Sequence, residues 1–347
     1  MSIFSSPAQS ASFGRIVARR TALGPKAVWI SWERHRRTRE LSRALGTELV
    51  ELTSRLPRIL RYPALLGRTT MCVARRRPSL LVIQCPSIVL GLWAVILKKI
   101  FRFSLMADLH NEAVRPYNVS SPLYEALCRL IRRTADVCVV TNTSLQRTVE
   151  GAGARAFVLP DKVPDLAPIA APPAARSRRR AVFICSYAPD EPYLEVIEAA
   201  RALDSVVTIH VTGDYRAVKH LPPASFAHLT GFLPEADYVA LLSAADVIID
   251  LTCMEDCLVC GAYEAVALGK PLVTSDTVAL RDYFRMGTVY TKHDPRSLAA
   301  AITYALAHRE RLAAEMDTLR RELARDWKRR NDALRHALQL GDGDDER

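Results

Sequence analysis

Residues 246–283 read DVIIDLTCMEDCLVCGAYEAVALGKPLVTSDTVALRDY, and this stretch decides the fold. Its pattern predicts a buried strand at 246–251, a loop, a helix at 260–270 and a second strand at 271–276. In open parallel sheets, ligands bind just beyond the carboxyl ends of the strands, so the loop places Asp256 at a ligand-binding edge. The start of the helix offers unpaired backbone N–H groups that can receive a diphosphate.

Short strands alternate with helices along the rest of the chain, which predicts an α/β protein with parallel sheets. The first half contains strand patterns such as KAVWIS (26–31) and SLLVIQC (79–85), and the second half begins again with AVFICS (181–186). Between the halves, residues 164–180 are rich in Pro and Ala and have no periodicity. We therefore predict two doubly wound, Rossmann-like domains that face a central cleft.

The domain boundaries are predicted from these breaks, and a length of 347 residues is itself typical of two domains. The first residues are basic, and a disordered tail explains them better than a transit peptide. The last helix of the second domain could pack back on the first domain. The predicted segments are a basic tail at 1–25, a first domain at 26–163, a linker at 164–180, a second domain at 181–340 and an acidic tail at 341–347.

The two halves carry opposite net charge. Residues 1–180 hold 30 Lys and Arg against 11 Asp and Glu, a balance of +19, whereas residues 181–347 hold 18 against 26, a balance of −8. A basic half can bind nucleic acid, an anionic membrane surface or a phosphorylated substrate. Eight cysteines lie mostly in apolar runs without a secretory signal, which indicates free thiols and a cytoplasmic location.

The stretch 246–283 resembles the Glu-x7-Glu signature of the retaining GT-B glycosyltransferases of group 1, with Asp256 and Glu264 on the two acidic positions. The resemblance implies a glycosyltransferase that uses a nucleotide-diphosphate sugar as co-substrate and needs no tightly bound cofactor. It implies that Glu264 binds the ribose and that Asp256, a catalytic candidate, lies near the transferred sugar. The other donor-binding residues that it implies are Val259, Cys260 and Gly261 for the sugar and phosphates, and Gly231, Phe232 and Leu233 for the base.

One loop departs from the family pattern. The family often carries Arg and Lys after the first strand of the donor domain, whereas this chain has SYAPDEP at 186–192. Ser186 and Asp190 could still touch the donor. The charge of the diphosphate must then be balanced by the helix start, by Arg281 or by a metal ion, so metal dependence stays open.

In the first domain, ADLHNE at 107–112 ends a predicted strand and should face the ligand. A carboxylate or imidazole there could take a proton from an acceptor hydroxyl, so Asp108 and His110 are catalytic candidates if transfer inverts the anomeric centre. If transfer retains the configuration, the argument for a base is weaker. Hydrogen bonding at a strand end is the plain alternative. The segment after the first strand is rich in basic residues and could bind an anionic acceptor; the candidates are Glu33, Arg34, His35 and Arg37.

The 19 uncharged residues from Ser79 to Leu97 nearly reach the length of a membrane span, but Pro86 and Ser87 divide them. A strand followed by a helix explains them better. The helix at 87–101 is apolar and ends in basic residues, which favours either a buried core helix or a surface that lies on a bilayer. We expect a protein that binds peripherally to the inner face of a membrane.

Cys253, Cys257 and Cys260 have the C-x3-C-x2-C spacing that can hold an iron–sulfur cluster. Their late position and the overlap with the Glu-x7-Glu signature favour ordinary packing, and we predict no metal site. The predicted acceptor is lipid-linked or a polysaccharide precursor. The alternatives are a nucleotide-sugar hydrolase or epimerase, an inactive homologue and a nucleic-acid-binding protein, although the basic clusters lack interleaved aromatic residues.

Overall fold

The computed structural model describes residues 26–85, 87–114, 121–167, 178–218, 221 and 225–340. The predicted tails at 1–25 and 341–347 lie outside these residues, as do positions 168–177 of the predicted linker. The described part of the chain divides into two compact units. Unit 1 falls within Met1–Asp161 and Asp326–Arg347, and unit 2 is Lys162–Arg325.

Unit 1 contains one sheet of six parallel strands. Its strands are β1 (Ala27–Ser31), β2 (Glu48–Glu51), β3 (Leu80–Cys85), β4 (Ser104–Leu109), β5 (Val137–Val140) and β6 (Ala156–Val158), in the spatial order β2-β1-β3-β4-β5-β6. Strands β1 and β3 are buried at every position, as expected where helices cover both faces of a parallel sheet. The helices are α1 (Arg36–Leu45), α2 (Arg58–Arg76), α3 (Ile88–Phe101), α4 (Asn111–Val114), α5 (Pro122–Thr134) and α6 (Thr143–Gly151).

Unit 2 repeats this architecture with a second sheet of six parallel strands. Its strands are β7 (Arg179–Phe183), β8 (Val207–Thr212), β9 (Ala227–Gly231), β10 (Val247–Asp250), β11 (Leu272–Ser275) and β12 (Thr288–Thr291), in the order β12-β11-β10-β7-β8-β9. The helices are α7 (Tyr193–Leu203), α8 (Glu235–Ser243), α9 (Cys260–Ala267), α10 (Val278–Tyr283), α11 (Pro295–Ala307) and α12 (Arg309–Ala337). The predicted α/β class and the two Rossmann-like halves are confirmed.

The long helix α12 contributes to both units. Leu319 and Leu323 in its first half are buried in a core cluster of unit 2, whereas Leu334 is buried in a cluster with Trp29 and Leu80 of unit 1. The indole N–H of Trp327 donates to the carbonyl of Pro160 at 3.1 Å. The end of the described chain therefore completes the core of the unit in which the chain begins.

Helix α2 is a single helix although it contains a proline. Pro63 lies inside it, at a position where proline usually kinks or breaks a helix. Pro63 lies little more than one turn from the start of the helix, so the carbonyl that lacks a partner is that of Ile59, whose side chain is 85% exposed. Solvent can bind that carbonyl, so the helix continues through Pro63.

Helix α3, which the sequence offered as a bilayer surface, contributes mainly to the core. Its buried residues are Leu90, Gly91, Ala94, Val95 and Leu97. The ammonium group of Lys98 is engaged as well, since it donates to the Thr134 carbonyl and to Asp136, both at 2.7 Å. Among the described residues, no helix combines the length and the apolar character needed to cross a membrane.

Candidate active site

In each sheet the strand order reverses next to the first strand of the unit. The reversal lies between β1 and β3 in unit 1, and between β7 and β10 in unit 2. Doubly wound sheets bind their ligands outside the carboxyl ends of the strands at such a switch point. The loops that follow β1, β3, β7 and β10 are therefore where functional side chains are expected.

The loop after β7 holds a carboxylate of the chain itself. One oxygen of Glu191 accepts hydrogen bonds from the backbone N–H groups of Ser186 at 2.8 Å and Ala188 at 3.0 Å, and the other accepts from the Ser186 hydroxyl at 2.9 Å. Tyr187 between them has a φ of 60°, which turns both N–H groups toward the same point. This concave set of N–H groups is the kind of site that binds an anion, and Glu191 fills it.

The last residue of β10 provides a second internal carboxylate. Asp250 ends β10, is 5% exposed and accepts a hydrogen bond from the backbone N–H of Ala262 at 3.1 Å. A Cβ atom at Gly261 would lie 2.6 Å from Oδ2 of Asp250 and 2.5 Å from the side chain of Ile184. The start of α9 is therefore packed directly on Asp250, and this approach requires glycine at 261.

These carboxylates make the carboxyl edge of the second sheet acidic. Burial raises the pKa of Asp250 well above its usual range, and the negative charges of Glu191 and Glu264 raise it further. The hydrogen bonds from Gly261 and Ala262 lower it, but to a smaller extent. The protonated form of Asp250 is thus favoured beside the start of α9.

The two loops of the unit 2 edge are joined to each other. The hydroxyl of Thr252 donates to Asp190 at 2.6 Å, and the backbone N–H of Cys253 donates to the Asp190 carbonyl at 2.7 Å. Ser275 accepts a hydrogen bond from the Thr252 N–H at 2.9 Å and lies 2.8 Å from Nε2 of His293. The loop that carries Asp256 is therefore fixed at its start by contacts with three neighbouring strand ends.

Glu264 lies on α9 and is half-buried. The hydroxyl of Tyr238 on α8 donates to Oε2 of Glu264 at 2.5 Å. Burial raises the pKa of this tyrosine hydroxyl, and the charge of Glu264 raises it further, so Tyr238 keeps its proton and remains a donor. This contact sets the orientation of the Glu264 carboxylate.

The remaining predicted donor residues have distinct environments. Asp256 is half-buried in the loop before α9. Gly231 ends β9 with a φ of 72°, and the ring of Phe232 beyond it is 83% exposed; Leu233 is half-buried. Arg281 forms an ion pair with Asp276 and lies 4.3 Å above the ring of Tyr290. The structure brings Ser186, Asp190, Val259, Cys260 and Gly261 to the β7 and β10 loops, whereas Arg281 is already paired.

In unit 1, Arg37 and Asp108 form a buried ion pair. The Arg37 guanidinium donates to Asp108 at 2.9 Å, to Asp161 at 2.5 Å and to the Leu159 carbonyl at 2.9 Å. Asp108 is fully buried and Arg37 is 4% exposed. This placement argues against both predicted roles, because Arg37 has no exposed donor edge for an acceptor and the Asp108 carboxylate is fully buried and hydrogen-bonded to Arg37.

His110 lies next to this pair, directly after β4 and one strand away from the switch point of the first sheet. Its Nε2 is 3.8 Å from Oδ2 of Asp108 and 3.4 Å from the side-chain nitrogen of Gln84. Burial lowers the pKa of His110, and the opposing effect of Asp108 is smaller. The neutral imidazole that results can accept a proton. His35 packs edge-on against His110 with ring centroids 4.7 Å apart, while the predicted acceptor residues Glu33 and Arg34 are exposed.

Three residues of the unit 2 edge were missed in the sequence. Asp250 is a polar residue at the end of an otherwise apolar strand, which is a signal that could have identified it. From the sequence, Glu191 fits the acidic residue that a helix start favours, but α7 begins at Tyr193 and the Glu191 side chain returns to the loop. No sequence pattern pairs Tyr238 with Glu264, since only the packing of two helices brings them together.

The described residues contain no group of three or more Cys, His, Asp or Glu side chains that could hold a metal ion. Cys253 and Cys260 are exposed and Cys257 is half-buried. Cys253 lies 3.6 Å from Nδ1 of His293. Cys253 and Cys257 lie in the loop between β10 and α9, and Cys260 is the first residue of α9.

Several solved structures superpose on this chain and identify its fold. The HepE protein of Anabaena, solved with UDP and glucose, superposes with a TM-score of 0.70 at 13% identity, covering 89% of this chain and 99% of that one. Sucrose-phosphate synthase of Thermosynechococcus elongatus gives 0.67 at 15% identity, covering 89% and 96%. A putative UDP-N-acetylglucosamine 2-epimerase of Listeria monocytogenes gives 0.56 at 14%, covering 84% and 91%. The fold is GT-B.

Part of the sequence matches a known protein family. Residues 193–337 match the family described as glycosyl transferase-like. No curated protein sequence matches the chain at a significant level. The segment that is similar to a glycosyltransferase family therefore lies mostly in unit 2, within a GT-B fold.

Proposed function

We propose that the protein is a glycosyltransferase that takes a sugar from a nucleotide-diphosphate sugar bound at the carboxyl edge of the second sheet. The observation that carries the proposal is the placement of Glu264 on α9, oriented by the hydroxyl of Tyr238 at 2.5 Å. An ionised carboxylate can accept bidentate hydrogen bonds from vicinal hydroxyls, as a ribose presents them. In this assignment the exposed ring of Phe232, with Gly231 and Leu233, stacks on the base.

The transferred sugar lies over the loop before α9 in this proposal. Asp256 contacts the sugar, and the backbone at Val259, Cys260 and Gly261 faces the sugar and the phosphates. Asp250 already accepts from the Ala262 N–H and Glu191 already fills the N–H groups after β7, so both internal carboxylates compete with a diphosphate. Neutralisation of Asp250 by a proton reduces this repulsion, which supports binding of an anion at the start of α9.

The acceptor lies on unit 1 in this proposal. His110 is the general base, because its imidazole is neutral and is held beside Asp108 and Gln84 at the carboxyl edge of the first sheet. Asp108 and Arg37 position His110 rather than meet the substrate. Exposed Glu33 and Arg34 with half-buried His35 receive the acceptor. We propose a lipid-linked or polysaccharide-precursor acceptor at a membrane surface, supported by the balance of +19 in residues 1–180.

The test is thermal unfolding of the purified chain with UDP-, GDP- and ADP-sugars, compared with Glu264→Gln. A single nucleotide series should stabilise the protein, by about 2.7 kcal/mol when the ligand is at 100 times its Kd. The stabilisation should be lost in Glu264→Gln and kept in Glu198→Gln, an exposed glutamate on α7. Absence of stabilisation by every nucleotide, with the protein folded, would contradict the proposed donor site and favour an inactive homologue.

A second reaction on the same fold is epimerisation of the nucleotide sugar, favoured by the structural similarity to the Listeria epimerase. Incubation with the stabilising nucleotide sugar, without acceptor, distinguishes the two. Proton NMR should show the donor unchanged for a transferase. Appearance of an epimer would overturn the transferase assignment while leaving the donor site intact.

A further inference from the structure

The solvent side of α2 carries several large apolar side chains, whereas an ordinary surface helix exposes mainly polar ones. Ile59 is 85% exposed, Leu60 is 58% exposed and Met71 is 46% exposed. Leu56, just before the helix, is 48% exposed. Four large apolar side chains thus face solvent within one segment of the chain, although single exposed residues of this kind are normal on protein surfaces.

Helical spacing places Ile59 and Met71 on one stripe of α2. Positions 59, 63, 67 and 71 are four apart, so they share one face of α2. Ile59, Pro63, Gly67 and Met71 are all exposed, and none of them is charged. The opposite face is the packed one, with its buried residues at Leu65, Thr69, Cys72 and Val73. The exposed stripe is therefore a regular feature of the helix.

The charge along this segment of the chain has one sign, although Glu48 of β2 forms an ion pair with Arg76 at the end of α2 at 2.7 Å. Residues 52–107 contain no Asp or Glu, and they contain ten Lys and Arg. Exposed Arg55 and Arg75 have no ion pair or hydrogen bond within the described residues, and Arg68 donates to the Thr53 carbonyl at 3.0 Å. We call the exposed side of 55–75 the basic apolar face: Leu56, Ile59, Leu60 and Met71 with Arg55, Arg68 and Arg75.

The packed face of α2 is fixed to the rest of unit 1. The indole N–H of Trp32 donates to the Thr69 hydroxyl at 3.0 Å, and that of Trp93 on α3 donates to the Thr70 hydroxyl at 3.0 Å. Both hydrogen bonds anchor the middle of the helix from its inner side. The basic apolar face is therefore presented outward on a folded helix.

We propose that the basic apolar face is the surface by which this protein lies on an anionic phospholipid bilayer. Interfacial helices bury apolar side chains at the boundary between headgroups and acyl chains while cationic side chains reach the phosphates. Ile59, Leu60 and Met71 supply the first contact and Arg55, Arg68 and Arg75 the second. The inference rests on the proposed function only in that the acceptor is taken from the same membrane.

Charge and apolarity together select the bilayer over other partners. A second copy of the chain bound through the same face would bring two sets of arginines together without an acidic residue between 52 and 107. A nucleic acid would satisfy the arginines but leave Ile59 and Leu60 in contact with a charged polymer. Only an anionic bilayer offers phosphates and an apolar interior to the same stripe.

The experiment is sedimentation of the full chain with vesicles of phosphatidylcholine, and of phosphatidylcholine mixed with phosphatidylglycerol. The chain should bind the anionic vesicles, and salt should weaken the binding. Ile59→Glu should lower the fraction bound by about tenfold or more, since it places a charge at the inserted position. Arg55→Ala combined with Arg75→Ala should lower it severalfold.

Matched controls are charge and alanine substitutions outside the face. Val206→Glu changes a 46% exposed valine before β8, and Arg321→Ala removes an exposed arginine on α12. Both should bind vesicles like the unchanged protein. Equal binding by Ile59→Glu and the unchanged protein would overturn the proposal, as would a dimer in solution that Ile59→Glu dissociates, or binding to RNA that competes equally well at the same salt.

Nucleotide-dependent stabilisation of the same preparation, measured without vesicles, separates this inference from the proposed function. Donor binding without vesicle binding would remove the membrane surface and leave the donor site. Vesicle binding lost in Ile59→Glu, without stabilisation by any nucleotide sugar, would support the membrane surface and overturn the donor site.

Discussion

Gly261 is the residue at which the candidate donor site is packed most tightly. A Cβ atom there would lie 2.5 Å from Ile184 and 2.6 Å from Asp250, whereas a Cβ atom at Gly67 on α2 would have nothing within 4 Å. The family resemblance singled out Gly261 for facing the ligand. The structure adds a packing reason, namely the buried aspartate against its backbone.

Gly261→Ala should destabilise the protein by about 1–3 kcal/mol, because a buried methyl group must displace Asp250 or Ile184. Gly67→Ala is the matched control, and it should stabilise the protein by roughly 0.5–1 kcal/mol, as expected for an exposed glycine inside a helix. Denaturant unfolding measures both. Equal stability of the two variants would show that α9 does not rest on Asp250.

The raised pKa of Asp250 gives a stability dependence of defined sign. Asp250 titrates near 3.8 when exposed and well above that value in the folded protein. Between these two pKa values the folded state binds more protons than the unfolded state, so its contribution to stability falls as pH rises. Asp250→Asn should therefore flatten the loss of stability above about pH 4. Parallel pH profiles of the free energy of unfolding would contradict this.

Residue-scale prediction from the sequence succeeded where a side chain follows a strand end and failed where partners come from distant segments. The positions of Asp256 and His110 beside strand ends were readable from local pattern. The pairing of Arg37 with Asp108 joins positions 71 apart, and that of Tyr238 with Glu264 joins positions 26 apart. No local rule predicts which of several basic or hydroxyl groups a buried carboxylate will meet.

At the scale of elements, alternating apolar runs identified the strands, because parallel strands buried on both faces are almost wholly apolar. Proline alone does not indicate where a helix ends, because Pro63 near the start of α2 leaves only one carbonyl for solvent to bind. Helix α3 shows a second limit. Its apolar sequence is equally typical of a core helix and of a membrane-facing one, and only burial distinguishes them.

Helix α12 gives the prediction that belongs to this scale. Leu334 is fully buried against unit 1, so Leu334→Ala should destabilise that unit by about 2–5 kcal/mol through loss of burial and the cavity that remains. Leu123 on α5 is 69% exposed, and Leu123→Ala should change stability by less than about 0.5 kcal/mol. Denaturant unfolding of both variants checks this, and a similar effect of the two would contradict the packing of α12.

For the whole molecule, the sequence indicated two doubly wound halves because strand and helix patterns restart after residue 180. Composition also separated the halves by charge, +19 against −8. The return of α12 to the first unit was harder to anticipate in detail. The polar sequence of α12 does not show where this helix leaves the core of unit 2 and begins to contribute to the core of unit 1.

The division into two units predicts that the donor site and the unit 1 core respond separately to mutation. Calorimetric titration with the stabilising nucleotide sugar, well below the unfolding temperature, should give the same affinity for Leu334→Ala as for the unchanged chain. Glu264→Gln should lose affinity at least tenfold, as expected when a charged acceptor is lost from buried hydroxyl partners. Loss of affinity in Leu334→Ala would instead show that the two units are coupled.

The contribution of α12 to unit 1 also bears on the order of events during synthesis. Trp327 and its partner Pro160 are 167 positions apart. The six strands of unit 1 leave the ribosome before unit 2, yet the core cluster that contains Trp29 and Leu80 stays incomplete until the translated chain reaches Leu334. Unit 2 can therefore complete its fold before the unit that precedes it, and the nascent first half presents an apolar surface that calls for chaperone protection throughout that interval.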